Sequence, residues 1–134
     1  MSRTQIANRQ LLDIVSYRKT ADYTLVLGDA SSLIEMNLAT ANSLTIPVSS
    51  SVDFAIGTTI LVTQYGVGET TIVPDGGVTV NYSGASLKIA SQHSFVSLLK
   101  IGTDEWDVFG ALEQTPSSGG LSYLEIMRVK TINI

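Results

Sequence analysis

An all-β protein is the fold class this sequence predicts, and three observations carry the prediction. Runs of β-branched and aromatic residues recur along the chain, cut by clusters of Gly, Pro, Ser, Asn and Asp at spacings near ten residues. Within the runs, apolar side chains alternate with polar ones at period two rather than at helical spacing. Between Tyr23 and Gly110 no stretch sustains a helical stripe. About nine or ten strands follow, and the expected architecture is an antiparallel β-sandwich or a barrel-like, jelly-roll-like module with extended arms at both ends.

The elements follow in chain order. Ser2 to Tyr17 is the one segment with partial helical spacing, through Ile6, Leu11, Leu12, Ile14 and Val15, with Ser2 or Thr4 as N-cap, although Asn8 and Ser16 break the stripe. From Tyr23 to Leu27 the period is two, and Gly28 to Ser32 ends that strand. Leu33 to Met36 is a second short strand. Leu44, Ile46 and Val48 alternate in a third, where Pro47, lacking an N–H, marks an edge or a bulge. Val52, Phe54 and Ile56 then lead through Gly57 into the centre of the chain.

That centre is Thr59 to Val80, which reads as an antiparallel meander. Ile60 to Tyr65 is one strand, Gly66-Val67-Gly68-Glu69 a hairpin connection, and Thr70 to Val73 the next strand. Pro74-Asp75-Gly76-Gly77 forms a tight turn into a third strand, Val78 to Tyr82. Beyond it, Leu87 to Ala90 is a strand, Ser91 to Ser94 a turn, and Phe95 to Ile101 a long central strand. Gly102 to Glu105 makes a hairpin into Trp106 to Phe109, with Trp106 and Val108 on the covered face.

The domain division expected from these signals is an N-terminal arm (1–20), a β domain (21–112), a polar linker of small residues (113–120) and a C-terminal apolar segment (121–134). With 134 residues and 44% hydrophobic composition, one core is expected to bury roughly two thirds of the unfolded surface. No cysteine is present, so disulfides and thiolate metal sites are excluded and stability must come from packing, including packing between subunits. No apolar run has the ~18 residues of a membrane span, and no secretory leader is legible, so no membrane is expected as a partner.

Charge is distributed unevenly. Residues 1–20 carry Arg3, Arg9, Arg18 and Lys19 against Asp13, whereas the remainder holds four basic and eleven acidic side chains. Phosphates would repel such a body, and no basic groove interleaved with aromatics is legible, so no nucleic acid is expected either. The two ends are candidate docking segments for a subunit or another protein. In the first, Arg3, Ile6, Arg9 and Leu12 would lie on a partner, or the arm would simply fray. In the second, Tyr123, Ile126, Val129, Ile132 and Ile134 would dock as a final strand of the chain's own sheet or cross to a neighbouring one, because a free apolar edge of this kind invites aggregation.

A search for chemistry yields no catalytic set, no metal site and no cofactor motif, and the chain is not expected to be an enzyme. His93 is the sole histidine and falls in a turn. Asp104, Glu105 and Asp107 cluster at a hairpin tip, where solvent keeps them ordinary. Asp75-Gly76-Gly77 lacks the alternating oxygen ligands of a calcium loop. Gly66-Val67-Gly68 lacks the third glycine, the helix and the lysine of a phosphate loop. Tyr17, Tyr23, Tyr65, Tyr82, Tyr123 and Trp106 could stack on sugars if they shared an exposed face, but as residues of separate strands they more readily fill core ends and rims.

Three stretches, YTLVLGDASSLIEMN from Tyr23, SLTIPVSSSVDFAIGTTILVTQYGVGETTIV from Ser43, and GGVTVNYSGASLKIASQHSFVSLLKIGTDEWDVFG ending at Gly110, resemble a β-rich module of tail-fibre and other virion appendage proteins of tailed bacteriophages. The resemblance implies a virion structural role, commonly as a trimer, and carries over no catalytic residue. The expected function is therefore a homotrimeric capsid decoration, or cement, protein of the virion, made in the host cytoplasm. It would bind the major capsid protein or another virion protein through its terminal arms. The alternative is a tail-fibre-like appendage that binds host-surface glycans.

Overall fold

The computed structural model describes residues 14–115. They form nine strands and a single short 3-10 turn: β1 (Val15–Lys19), β2 (Tyr23–Thr24), β3 (Ser32–Met36), β4 (Asn42–Ile46), β5 (Thr59–Gln64), β6 (Thr70–Pro74), β7 (Thr79–Tyr82), β8 (Phe95–Gly102) and β9 (Glu105–Gly110), with the 3-10 turn at Leu27–Asp29. The β-rich class expected from the alternation is therefore present. The wiring is different.

Six strands form one sheet, in the order β1-β3-β5-β8-β9-β7, and three form another, in the order β2-β4-β6. Odd and even strands thus alternate between the sheets from β1 to β6, and each of β1 to β4 pairs in parallel with the strand two places on. The chain winds as a three-turn coil. Between its second and third turns the offset is constant: Leu33 pairs with Leu61 and Asn42 with Thr70, each twenty-eight residues further along. After the coil, β8 joins the large sheet antiparallel to β5, and β9 returns beside it through the predicted hairpin at Thr103–Asp104.

The meander expected over Thr59–Val80 is corrected by this topology. Its three strands and its Pro74–Gly77 turn exist, but β5 and β6 lie in different sheets, and β7 pairs in parallel with β9. The Gly66–Glu69 segment is a corner between sheets and not a hairpin. A β-branched run with turn formers at both ends has the same local pattern whether its neighbour is the next strand or the next coil, so period alone could not separate the two. Pro47 is likewise not an edge marker: β4 is the middle strand of its sheet, and Pro47 lies buried just beyond it. The expected strand at Leu87–Ala90 reduces to isolated bridges from Lys88 to Thr71 and from Ile89 to Leu112.

At the start of the described chain, the segment considered for a helix is strand where it can be seen, since Val15–Tyr17 belongs to β1. The alternate positions Val15 and Tyr17, one β-branched and one aromatic, suit a pleated surface better than a helix. Within Tyr23–Leu27, Leu25 is fully buried as alternation predicts. Leu27 is not, because the chain leaves the strand and turns through the 3-10 segment.

The core lies between the two sheets. Ile34, Met36, Ile60, Val62, Val96, Leu98, Trp106 and Val108 face inward from the large sheet, and Leu44, Ile46 and Ile72 from the small one, all essentially inaccessible. Each such side chain stabilises the fold by about 1.5–3 kcal/mol relative to exposure. The long connection between β4 and β5 supplies Phe54, whose ring meets Trp106 edge-on at 5.6 Å. It is stitched down by polar bonds: Lys100 Nζ donates to the Phe54 carbonyl at 2.6 Å, and Asp104 accepts from the Ser49 N–H at 2.7 Å and its hydroxyl at 3.0 Å.

Candidate functional site

The coil corners that follow β1, β3 and β5 stack on one another, and the stacking builds a groove. Asn37 N–H donates to the Lys19 carbonyl, Tyr65 and Gly66 N–H to the Met36 carbonyl, and Gly68 N–H to the Leu38 carbonyl, at 2.8–3.0 Å. Glycine is required at the third corner for a packing reason. A Cβ at Gly66 would collide with the backbone of Leu38, and one at Gly68 with the backbone of Thr40. The two glycines that suggest a hairpin in the sequence are there to let one coil lie close on the next.

Along this corner runs an open groove of about 390 Å³, lined by Asn37, Leu38, Ala39, Tyr65, Gly66, Val67, Gln92 and His93. Its size falls within the usual range of about 300–1,000 Å³ for ligand sites. Tyr65 forms its wall. The Arg18 guanidinium lies 3.8 Å from the Tyr65 ring centroid, and His93 meets the same ring edge-on at 5.5 Å. Gln92 is held by a bond from Nε2 to the Tyr65 carbonyl at 3.2 Å. His93 sits in the predicted turn, but with φ at +66°, a left-handed conformation that costs a non-glycine residue about 1 kcal/mol or more. Its N–H bonds to the Gln64 carbonyl at 2.7 Å, which holds the turn in place.

One cation borders the groove without lining it, Arg18, through its contact with Tyr65. The described residues contain four lysines and arginines: Lys100 is buried, Lys88 is paired with Glu69 at 3.4 Å, and Arg18 and Lys19 stand together at the end of β1. Arg18 shares one contact with Glu35, at 3.4 Å, and that carboxylate raises its pKa above the ordinary arginine value. Lys19 Nζ lies 4.3 Å from the centroid of the Tyr23 ring and 5.6 Å from that of Tyr17. Alternating basic and aromatic side chains at this corner were not legible in sequence, because four separate strands or turns contribute them.

A second feature is the outward face of the large sheet. Leu33, Leu61, Ser97 and Phe109 pair across four adjacent strands in one row, and Phe95 and Leu99 flank Ser97 on the same face of β8. Phe95 is 50% exposed and Phe109 53%. At one edge of that sheet β1 is bordered by no further strand among the described residues, and Val15 and Tyr17 on it are exposed.

The carboxylates noted in the sequence are engaged in hydrogen bonds. Asp104 latches Ser49, while Glu105 and Asp107 both accept from Asn81 Nδ2, at 2.8 and 3.1 Å. Asp75 caps the Gly76 N–H. Among the described residues no three His, Asp or Glu side chains are grouped to hold a metal ion, and no helix is long and apolar enough to cross a membrane. Of the aromatics considered for stacking on sugars, Trp106 is in the core and Tyr65 lines the groove, so the five among the described residues do not form one platform; Tyr123 lies outside the described residues. The docking residues expected in the termini, Arg3, Ile6, Arg9, Leu12, Tyr123, Ile126, Val129, Ile132 and Ile134, lie outside the described residues, as does the linker beyond Thr115.

Comparison with protein-family models, with curated proteins and with solved structures finds no match to this chain.

Proposed function

We propose that the protein is a structural component of a bacteriophage virion, a homotrimeric capsid decoration protein that binds the outer shell and reinforces it by surface fit. In this proposal the two sheets act as a β-sandwich body, and the terminal segments are the arms that reach the major capsid protein or a neighbouring subunit. No catalytic step is assigned to it. The observation that carries the proposal is the exposed pair Phe95 and Phe109 on the outward face of the large sheet, with the half-buried Leu33 and Leu61 on the same face across Ser97. Exposed aromatic rings on a sheet face favour a surface made to be covered, and symmetric association covers it at no cost in new sequence. The resemblance to virion appendage modules supports the same reading.

Native mass spectrometry of the purified chain tests the oligomer, and electron microscopy of particles carrying it tests the location. A trimer placed at repeated positions over the shell is expected. A monomer that fails to bind capsids overturns the proposal.

A second reading, a tail appendage that binds host-surface glycans, is favoured by the groove at Tyr65 and His93, which the decoration role does not use. Binding of the isolated protein to a glycan array separates the two.

A further inference from the structure

We infer that the corner groove binds an acidic saccharide, a sugar chain that carries carboxylates, with Arg18 as the carboxylate-binding residue. The inference rests on the second reading above and names the ligand class for it.

The groove offers three kinds of surface at once. Leu38 and Val67 provide small apolar patches, suited to the C–H face of a pyranose ring. Asn37 and Gln92 provide amides; the Asn37 side chain makes no hydrogen bond among the described residues, and Gln92 spends one N–H on the Tyr65 carbonyl, so acceptor and donor capacity is left for hydroxyl groups. A few placed polar groups over an apolar floor is the usual make-up of a small-molecule site. The groove is open along its length, which suits one or two rings of a longer chain better than an enclosed small molecule.

Positive charge selects among saccharides. A guanidinium carries five N–H donors, and Glu35 takes only one of them, through a contact of 3.4 Å. Arg18 is not itself a lining residue, but its guanidinium carbon lies 3.8 Å from the centroid of Tyr65, which lines the groove, so contact with that ring keeps its remaining donors at the groove's border, within reach of a carboxylate on a bound sugar. Lys19, the next residue of the strand, lies on its opposite face over the Tyr23 and Tyr17 rings, and Lys88 is tied to Glu69, so the cation beside Tyr65 is Arg18. His93 contributes ring nitrogens that make no hydrogen bond among the described residues, and its left-handed backbone places the ring across Tyr65. Strain held at a groove wall, where glycine would relieve it, is the kind of outlier that points to a functional demand on the side chain.

The test is a titration of the full ¹⁵N-labelled chain, followed by NMR, with trigalacturonate as probe, maltotriose as neutral counterpart and acetate at equal carboxylate concentration. The expected result is movement of the Gly66, Val67 and His93 amides with trigalacturonate, with little response to the other two. Arg18→Gln should weaken binding about tenfold, the loss of one charge-assisted contact. His93→Gly, which removes the ring and relaxes the backbone, should bind less tightly while melting no lower than the parent. Equal response to maltotriose overturns the acidic preference and leaves the glycan reading standing. Equal response to acetate reduces the site to a general anion site and overturns the inference. No response to either sugar, with a blank glycan array, overturns both.

Discussion

Thr70 donates its hydroxyl to Asn42 Oδ1 across 2.7 Å, and the two residues are also backbone partners in adjacent turns of the coil. Asn42 in turn donates through Nδ2 to the carbonyls of Thr40 and Gly68, so one side chain ties the second corner to the third. Both residues are buried, and a buried amide that loses a partner bears its full desolvation cost. Thr70→Val keeps the shape and removes the bond. It should cost about 1–3 kcal/mol in urea unfolding, and a loss below experimental error would show that the ladder does not hold the coils together.

Glycines in this chain separate into packing and conformational cases. Gly66→Ala and Gly68→Ala should each destabilise by about 1–3 kcal/mol or more, since the new methyl group meets the backbone of the preceding corner. Gly77, with φ at +95°, should cost about 1 kcal/mol as alanine. Gly76, with open space around it and no positive φ, should tolerate alanine within about 0.5 kcal/mol. Thermal melts of the four variants check the order.

Tyr23 donates to Asp29 Oδ2 at 2.7 Å, and the same oxygen accepts the Val26 N–H at 2.9 Å. Burial first, then the bond to Asp29, raise the Tyr23 pKa well above the ordinary tyrosine value. A raised folded pKa stabilises the protein fully below the unfolded value near 10, and that stabilisation is lost as pH rises toward the folded value. Tyr23→Phe should therefore cost about 1–3 kcal/mol at pH 7, and its disadvantage should shrink above pH 10. Alkaline denaturation followed by circular dichroism compares the two proteins; a constant gap across that range would contradict the assignment.

Lys100 and Asp53 are 3.6 Å apart, but their environments differ: the lysine side chain is 2% exposed and the carboxylate 82%. An ion pair with one partner in water is worth little, so Asp53→Asn should change stability by less than about 0.5 kcal/mol. Lys100→Ala should cost about 2–4 kcal/mol, because it opens a space beside Trp106 and leaves the Phe54 carbonyl without its donor. Urea titrations of both variants measure the contrast.

Phe95→Ser combined with Phe109→Ser removes the two exposed phenylalanine rings of the large sheet without touching the core. The predicted effect is a lower native mass with an unchanged β-type spectrum. Deleting residues 121–134 should reduce binding to particles in the same manner. An unaltered oligomer in both variants would remove the apolar face and the C-terminal segment from the assembly.

Legibility of the fold differed by level. Strand positions and facing were readable: Trp106 and Val108 inward, Phe109 outward, and Leu44 and Ile46 in the core all follow from period-two alternation, because burial on one face is written locally. The Asp75–Gly77 turn and the β8–β9 hairpin were readable too, since turn chemistry is local. The groove was not, apart from Tyr65 as one aromatic among six. Arg18, Asn37, Tyr65 and His93 belong to successive turns of the coil and to the turn before β8, and they meet only because corners stack.

By itself, then, the order of residues determined that this chain is built from strands, which side of each strand is dry, and that cysteine chemistry has no part in it. Tertiary structure decided which strand lies beside which, and therefore where a groove and an apolar face arise. The physical reason is that a side chain's burial depends on its own alternation, whereas pairing depends on hydrogen bonds between strands that share no local signature. Parallel partners twenty-eight residues apart look the same, residue by residue, as neighbours in a hairpin.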